Sequence, residues 1–174
     1  MASQSVRLFF ALWPDDDTRR RLDAIARRYR PEKTRPVVPT NLHATLVFIG
    51  QQPLEMVEPI IQAATGVSAT AFDLQLQRLE LWRRPQVLSL CSEVVPESLS
   101  QLHADLRQAL DDLDVPTEGR KYRPHITLAR KVRRYDGPAE LPSPLNWRVD
   151  GFALVESFSA EAGVVYQPLH HWQL

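Results

Sequence analysis

The sequence has no apolar run near the roughly 18 residues that a membrane-spanning helix requires. Its N-terminal RLFFALW is too short for a secretory core and runs into Asp15, Asp16 and Asp17 instead of a small-residue cleavage site. These absences give the expectation of a cytoplasmic protein with no membrane partner. Cysteine is nearly absent. Cys91 stands alone, which excludes an internal disulfide, and its setting in VLSLCSEV reads as a packed strand thiol, not a nucleophile. No glycine-rich phosphate loop is present, which argues against an ATP-driven activity, and no elbow sequence supports a serine nucleophile. An excess of either charge is also missing: 21 Lys plus Arg balance 21 Asp plus Glu. A protein that holds long duplexes through its overall field is normally basic. Any nucleic acid handled here is therefore a short piece or an end, gripped by local charge. The balance also suits a monomer.

What is present is ample for a core. Of 174 residues, 44% are apolar and 24% charged, an ordinary globular balance for one domain or two small packed lobes. VRLFFALW reads as a strand ending at Pro14, and residues 15–30 as a helix with acids first and Leu22, Ile25, Ala26 and Tyr29 on its buried stripe. Pro31, Pro36 and Pro39 mark a loop before the strand NLHATLVFIG. The order then recurs: the strand QVLSLCSEVV, an amphipathic helix through Leu99, Leu102, Leu106 and Leu110, a loop, and the strand RPHITLAR. Pro14 and Pro96 are 82 positions apart, and so are His43 and His125. We therefore read two copies of strand–helix–strand at one offset. Between and after them we expect a helix over 53–64 disturbed by Pro59, a strand in FDLQLQRLEL, a Pro-rich surface loop in YDGPAELPSPLN, and a closing hairpin built from WRVDGFALVESF and VVYQPLHHWQL. The fold class is α+β, with two pseudo-symmetric lobes of antiparallel or mixed sheet and outer helices around a central cleft.

The chemistry sits in HATL and HITL. Strand alternation puts His43, Thr45 and Val47 on one face, opposite Ala44, Leu46 and Phe48; His125, Thr127 and Ala129 share a face opposite Ile126 and Leu128. Approximate two-fold symmetry between the halves would bring two imidazoles and two hydroxyls into one cleft. Imidazole titrates near pH 6.5, so one ring can accept a proton while another donates one. Displacement at phosphorus is in line, and a pair of histidines on opposite sides of a phosphate matches it. The threonine hydroxyls would donate to non-bridging oxygens and a cation would offset their charge. Arg130, Arg123 and Lys121 are the candidates; alternation favours Arg123 and turns Arg130 away. The runs Arg19–Arg21 and Arg27–Arg28 read as a solvated helix face. No metal is expected, because neither motif has a second ligand at close spacing, and His103, His170 and His171 read as surface or packing residues.

P-x-NLH-x-TL-x-F-x-G, RPHITLAR, the opening RLFFAL and the closing G-x-x-Y-x-x-L-x-x-W together resemble the two-histidine phosphoesterase superfamily, in its bacterial RNA 2′,3′-cyclic phosphodiesterase branch, formerly called 2′-5′ RNA ligase. The resemblance runs nearly end to end. It implies one bilobal domain over residues 1–174, no cofactor or metal, and hydrolysis of a 2′,3′-cyclic phosphate on RNA 3′ ends or small nucleotides to a 2′-phosphomonoester. By position it makes His43 the proton donor to O3′ and His125 the base. Thr45, Thr127 and Arg130 then hold the phosphate, and Arg130 is preferred on this ground alone. Tyr166 matches a late tyrosine of that family and equally suits a packed hairpin. The alternatives are 2′-5′ joining of RNA ends by the reverse reaction and a non-catalytic RNA-end or nucleotide-binding module.

Overall fold

In the computed structural model, residues 4–161 and 163–174 are described. Strand β1 (Ser5–Leu12) is buried from Leu8 onward. Helix α1 (Asp16–Tyr29) starts where the Asp15 carboxylate accepts the Thr18 amide at 2.7 Å; Asp16 and Asp17 lie at its positive end and Arg27 and Arg28 at its negative end. A short β2 (Arg35–Pro36) and a 3₁₀ turn at Pro39–Asn41 lead into β3 (Ala44–Pro53). A second 3₁₀ turn, Leu54–Met56, precedes α2 (Val57–Thr65). Pro59 falls in the first turn of α2, where a missing amide costs nothing, so it shifts the helix start instead of kinking it. Then come β4 (Phe72–Trp82), β5 (Val87–Cys91), α3 (Glu97–Asp111), β6 (His125–Arg130), β7 (Glu140–Val149), β8 (Gly151–Ala160) and β9 (Gly163–Gln173).

The strands form one sheet in the order β7-β4-β5-β6-β3-β1-β8-β9, with β2 alongside β6, and every described pairing is antiparallel. The order is symmetric about its centre. Each half has a His-Thr strand at the junction (β3 or β6), then the first strand of the repeat (β1 or β5), then an outer antiparallel pair (the hairpin β8–β9, or β4 with the distant β7). Helices α1, α2 and α3 bury Leu22, Ile60, Leu99, Leu102, Leu106 and their neighbours against one face of the sheet. Burying each such side chain is worth about 1.5–3 kcal/mol. The other face carries the histidines.

Three expectations are corrected. YDGPAELPSPLN is not wholly loop: from Glu140 it is β7, which buries Leu141, Leu145, Trp147 and Val149 against β4. Proline is tolerated there because β7 is an edge strand, where a missing N–H need not break a ladder bond. Trp147, Arg148 and Val149 therefore belong to β7, and the closing hairpin is β8–β9. The third correction concerns alternation. In β3 the partners of Thr45 and Val47 are Ala11 and Phe10, so Leu46 is an extra residue; in β6 the partners of Thr127 and Ala129 are Ser89 and Leu88, so Leu128 is extra. Each bulge turns two successive residues inward, as bulges do. Leu46 and Val47 are both buried, and so are Leu128 and Ala129. Val47 and Ala129 thus join the buried core, and Phe48 and Arg130 turn onto the cleft face. The two bulges lie at the same 82-residue offset as the histidines.

Candidate active site

Each histidine is held by the backbone two residues before it. His43 Nδ1 donates to the Asn41 carbonyl at 2.7 Å, and His125 Nδ1 donates to the Arg123 carbonyl at 2.8 Å. That bond fixes ring and tautomer, leaving Nε2 as the nitrogen free for proton transfer. The Thr45 hydroxyl lies 2.9 Å from His43 Nε2. His43, Thr45, His125, Thr127 and Arg130 all line one cleft of about 940 Å³.

The surroundings of the two rings differ. His43 sits in a small apolar cluster on the cleft face, with ring centres of Phe9 at 4.9 Å, Tyr166 at 5.1 Å edge-on and Trp13 at 5.9 Å stacked. Burial pulls its pKa down to about 4; the Asn41 carbonyl opposes this, and the charges of His125, Arg130 and Arg19 add to it. His125 packs 4.3 Å from Trp82 in a charged setting. Burial lowers its pKa too, with the Arg123 carbonyl and Glu80 opposing and the Arg123 charge adding. Free of ligand, both rings are therefore biased toward the neutral form.

The three candidate cations separate clearly. Arg123 is bound by Glu80 at 3.0 and 2.9 Å and lies 5.5 Å from the Trp82 ring centre, so its charge is already matched. Arg130 is exposed and has no acidic partner among the described residues. The bulge at Leu128 removes the parity objection to it. Lys121 lies on the cleft rim. Arg35, which the sequence did not single out, stands directly opposite Arg130 across β2 and β6 and lines the same cleft.

Two further residues escaped the sequence reading. Arg19, expected on a solvated face, reaches the carbonyls of Pro39 at 2.7 Å, Pro14 at 3.0 Å and Leu42 at 3.3 Å, and lies 5.2 Å from the Trp13 ring centre. Asn41 donates through Nδ2 to the Val164 carbonyl at 2.8 Å and accepts the Tyr166 amide at 3.2 Å. Together they fix the loop that carries His43. The signal available for Asn41 was its place two residues before a motif histidine, matching Arg123. For Arg19 the sequence offered none. Cys91 is buried opposite His125, and burial pushes its thiol up to about 12. His103 stacks on Tyr122 at 4.4 Å, and the Tyr122 hydroxyl donates to the Thr45 carbonyl at 3.2 Å. Among the described residues no group of three or more His, Cys, Asp or Glu is placed to hold a metal ion, and no helix is long and apolar enough to cross a membrane.

The model of the 2′-5′ RNA ligase superfamily matches residues 14–159. The chain belongs to this superfamily. It is 32% identical over 176 residues to the RNA 2′,3′-cyclic phosphodiesterase of Escherichia coli K12, covering 99% of this chain and 98% of that protein. It is 30% identical over 185 residues to the enzyme of the same name from Thermus thermophilus, covering 97% and 90%. The crystal structure of E. coli LigT complexed with 3′-AMP superposes with a TM-score of 0.90 at 29% identity, over 98% of this chain and 99% of that one. This superfamily member is thus homologous over its whole length to bacterial RNA 2′,3′-cyclic phosphodiesterases, and its α+β fold is LigT-like.

Proposed function

We propose that the chain acts as one bilobal unit that hydrolyses 2′,3′-cyclic phosphodiesters at RNA 3′ ends or on small nucleotides, using His43 and His125 as the acid–base pair and no metal. One observation carries this reading: two imidazoles, each tied through Nδ1 to a carbonyl, present Nε2 to the same cleft from equivalent strands. In the reaction, neutral His125 takes a proton from water as its oxygen bonds to phosphorus. The P–O3′ bond breaks on the opposite side, and His43, charged when the anionic substrate is bound, protonates O3′. The product keeps the P–O2′ bond. Thr45 and Thr127 donate to the non-bridging oxygens, and Arg130 offsets their charge. Two protonated rings facing one another are disfavoured, and the bound phosphate anion supplies the charge that restores one of them. The reverse reaction, 2′-5′ joining, shares the transition state, and in dilute water hydrolysis prevails.

The test is turnover of a dinucleotide 2′,3′-cyclic phosphate, with the product assigned by mass and NMR. His43→Ala and His125→Ala should each cost at least about 10²-fold in rate with the fold intact. Full activity in either variant ends the assignment, and loss of wild-type activity in excess chelator would restore a metal mechanism. Tight product binding with no turnover by the wild type would instead support a binding module.

A further inference from the structure

Each histidine of the site is backed by a tryptophan, and each tryptophan by an arginine. His43 lies 5.9 Å from Trp13 between ring centres, and Arg19 stands 5.2 Å over Trp13. His125 lies 4.3 Å from Trp82, and Arg123 stands 5.5 Å over Trp82. The repeat does not produce this likeness, since Val95 and Gln101 occupy the positions 82 beyond Trp13 and Arg19. The two stacks end differently. Arg19 directs its donors to the carbonyls of Pro39, Pro14 and Leu42. Arg123 places Nη2 at 3.0 and 2.9 Å from the two oxygens of Glu80, and the Trp82 indole N–H donates to Glu80 at 3.2 Å. One carboxylate thus holds both groups that seat His125: the residue whose carbonyl accepts from Nδ1, and the ring it packs on.

Strand register brings Glu80 to this place. Glu80 of β4 pairs with Ser89 of β5, which pairs with Thr127, so the three share one cross-strand row; Arg78, Cys91 and His125 form the next row on the same face. The other charged and titratable groups around His125 are matched or neutral. Arg78, 3.8 Å from Glu80, is bound by Glu93 at 2.8 Å and Glu140 at 3.4 Å. Burial pushes the Cys91 thiol up to about 12, and it pushes up the Tyr122 hydroxyl, which donates to the Thr45 carbonyl. Burial also pushes the Glu80 carboxyl up, but hydrogen bonds from Arg123 and Trp82 outweigh it and hold the group below the usual carboxylate range. Glu80 is therefore charged wherever imidazole titrates. On the other side of the cleft, the charges that bear on His43 are those of His125, Arg130 and Arg19, all cationic. Among the described residues no carboxylate is hydrogen-bonded to Asn41, Trp13 or Arg19.

We propose that Glu80 is the positioning residue that gives the proton relay its direction: it seats His125 through Arg123 and Trp82, and it places a negative charge beside the ring that must gain a proton. This deepens the hydrolase reading and rests on it. In hydrolysis the water oxygen bonds to phosphorus and its proton goes to one ring, while the P–O3′ bond breaks and the other ring gives O3′ a proton. Positive charge therefore grows on the first ring and leaves the second. A fixed anion lowers the barrier beside the first, and fixed cations lower it near the second. Glu80 opposes the loss of charge on His125, and Arg130 and Arg19 promote it on His43. The two histidines, interchangeable in the sequence, are separated by a residue that belongs to neither motif.

The test follows both rings by NMR titration of the free protein and the pH profile of kcat/KM on adenosine 2′,3′-cyclic phosphate. It uses wild type, Glu80→Gln, Glu80→Ala and Arg123→Gln. In Glu80→Gln, which keeps an acceptor for Arg123 but no charge, the midpoint of His125 should move to lower pH while that of His43 stays. Arg123→Gln leaves Glu80 unmatched and should move His125 to higher pH. At pH 8 both free rings are neutral, so the proton of the transition state is drawn from solution. There Glu80→Gln should lose about 2- to 5-fold in kcat/KM, part of the tenfold that one unit of basicity is worth, and its alkaline limb should move to lower pH. Glu80→Ala should lose more, because Trp82 and Arg123 also lose their acceptor; if it does not fold, Glu80→Gln carries the test. A Glu80→Gln with wild-type midpoints and rate overturns the proposal, as does a His125 midpoint that stays put or moves the opposite way in either charge variant. Wild type without turnover, but with these midpoint changes, sinks the hydrolysis and keeps the hold of Glu80 on His125.

Discussion

Ala44 lies directly opposite Ile126, and each is flanked by the histidine and threonine of its own motif. The site is thus built at the seam of the sheet, where two equivalent strands touch and then diverge. Everything polar in the motifs faces the cleft, and Ala44 and Ile126 themselves are fully buried on the helix side. Substrate can therefore meet both rings without either half of the core being opened.

The lowered pKa of His43 makes stability depend on pH. Unfolded, the ring titrates near 6.5; folded, at about 4. Between these values the unfolded chain holds a proton that the folded chain does not, so stability is full above about pH 6.5 and falls as pH drops toward 4. The whole window is worth about 3 kcal/mol. Urea unfolding of wild type and His43→Gln at pH 7 and pH 4.5 should show a steeper acid loss in the wild type. Parallel losses would mean that burial does not suppress the charge on this ring.

Cys91 should be inert. It is 1% exposed and its thiol is pushed up to about 12, so almost no thiolate forms near neutral pH. A maleimide should leave the native protein unmodified and fully active, while labelling it once in denaturant. Rapid native labelling with loss of activity would place a reactive thiol beside His125.

The elements, their order and the paired motifs were legible because they rest on periodicity and on turn residues, which are local. The cleft faces beyond the threonines were not. A one-residue bulge reverses strand parity, and neither Leu46 nor Leu128 differs in kind from a regular strand residue; the bulge exists only in the register against β1 and β5. Strand alternation favoured Arg123 over Arg130 for the same reason, and it could not show Glu80, which occupies Arg123 and comes from β4, more than forty positions away. Residues 140–149 misled because two prolines signal a loop unless the strand lies at a sheet edge, and edge position is a property of the whole topology.

Arg19 and Asn41 should act on rate without touching substrate. Arg19 donates to three carbonyls around the His43 loop, a reach that the single ammonium of lysine does not match. Arg19→Lys should therefore lower kcat with KM little changed, and destabilise by about 1–3 kcal/mol as carbonyls lose their donor. Asn41→Asp keeps the acceptor for the Tyr166 amide and loses the donor to Val164. Its kcat should lie between those of wild type and Asn41→Ala. Equal kcat in all three would show that tying the loop to β9 has no bearing on the placement of His43.

Phosphate binding should draw protons from solvent. In the free protein, burial lowers the pKa of both rings, His43 to about 4. An anion placed between them favours the charged form and raises both pKa values. Near pH 6.5 the ligand-bound protein should then carry up to about one proton more than the free protein. Calorimetry with inorganic phosphate in two buffers of different ionisation enthalpy reads that number, after correction for the proton that phosphate itself exchanges. Affinity should strengthen on acidification from pH 7.5 to 6, and kcat, which reports the bound form, should have its optimum at higher pH than kcat/KM. An enthalpy independent of buffer after correction, with coincident pH optima, would mean that the anion does not lie between the two imidazoles, and the acid–base pair would lose the charge on which its donor depends.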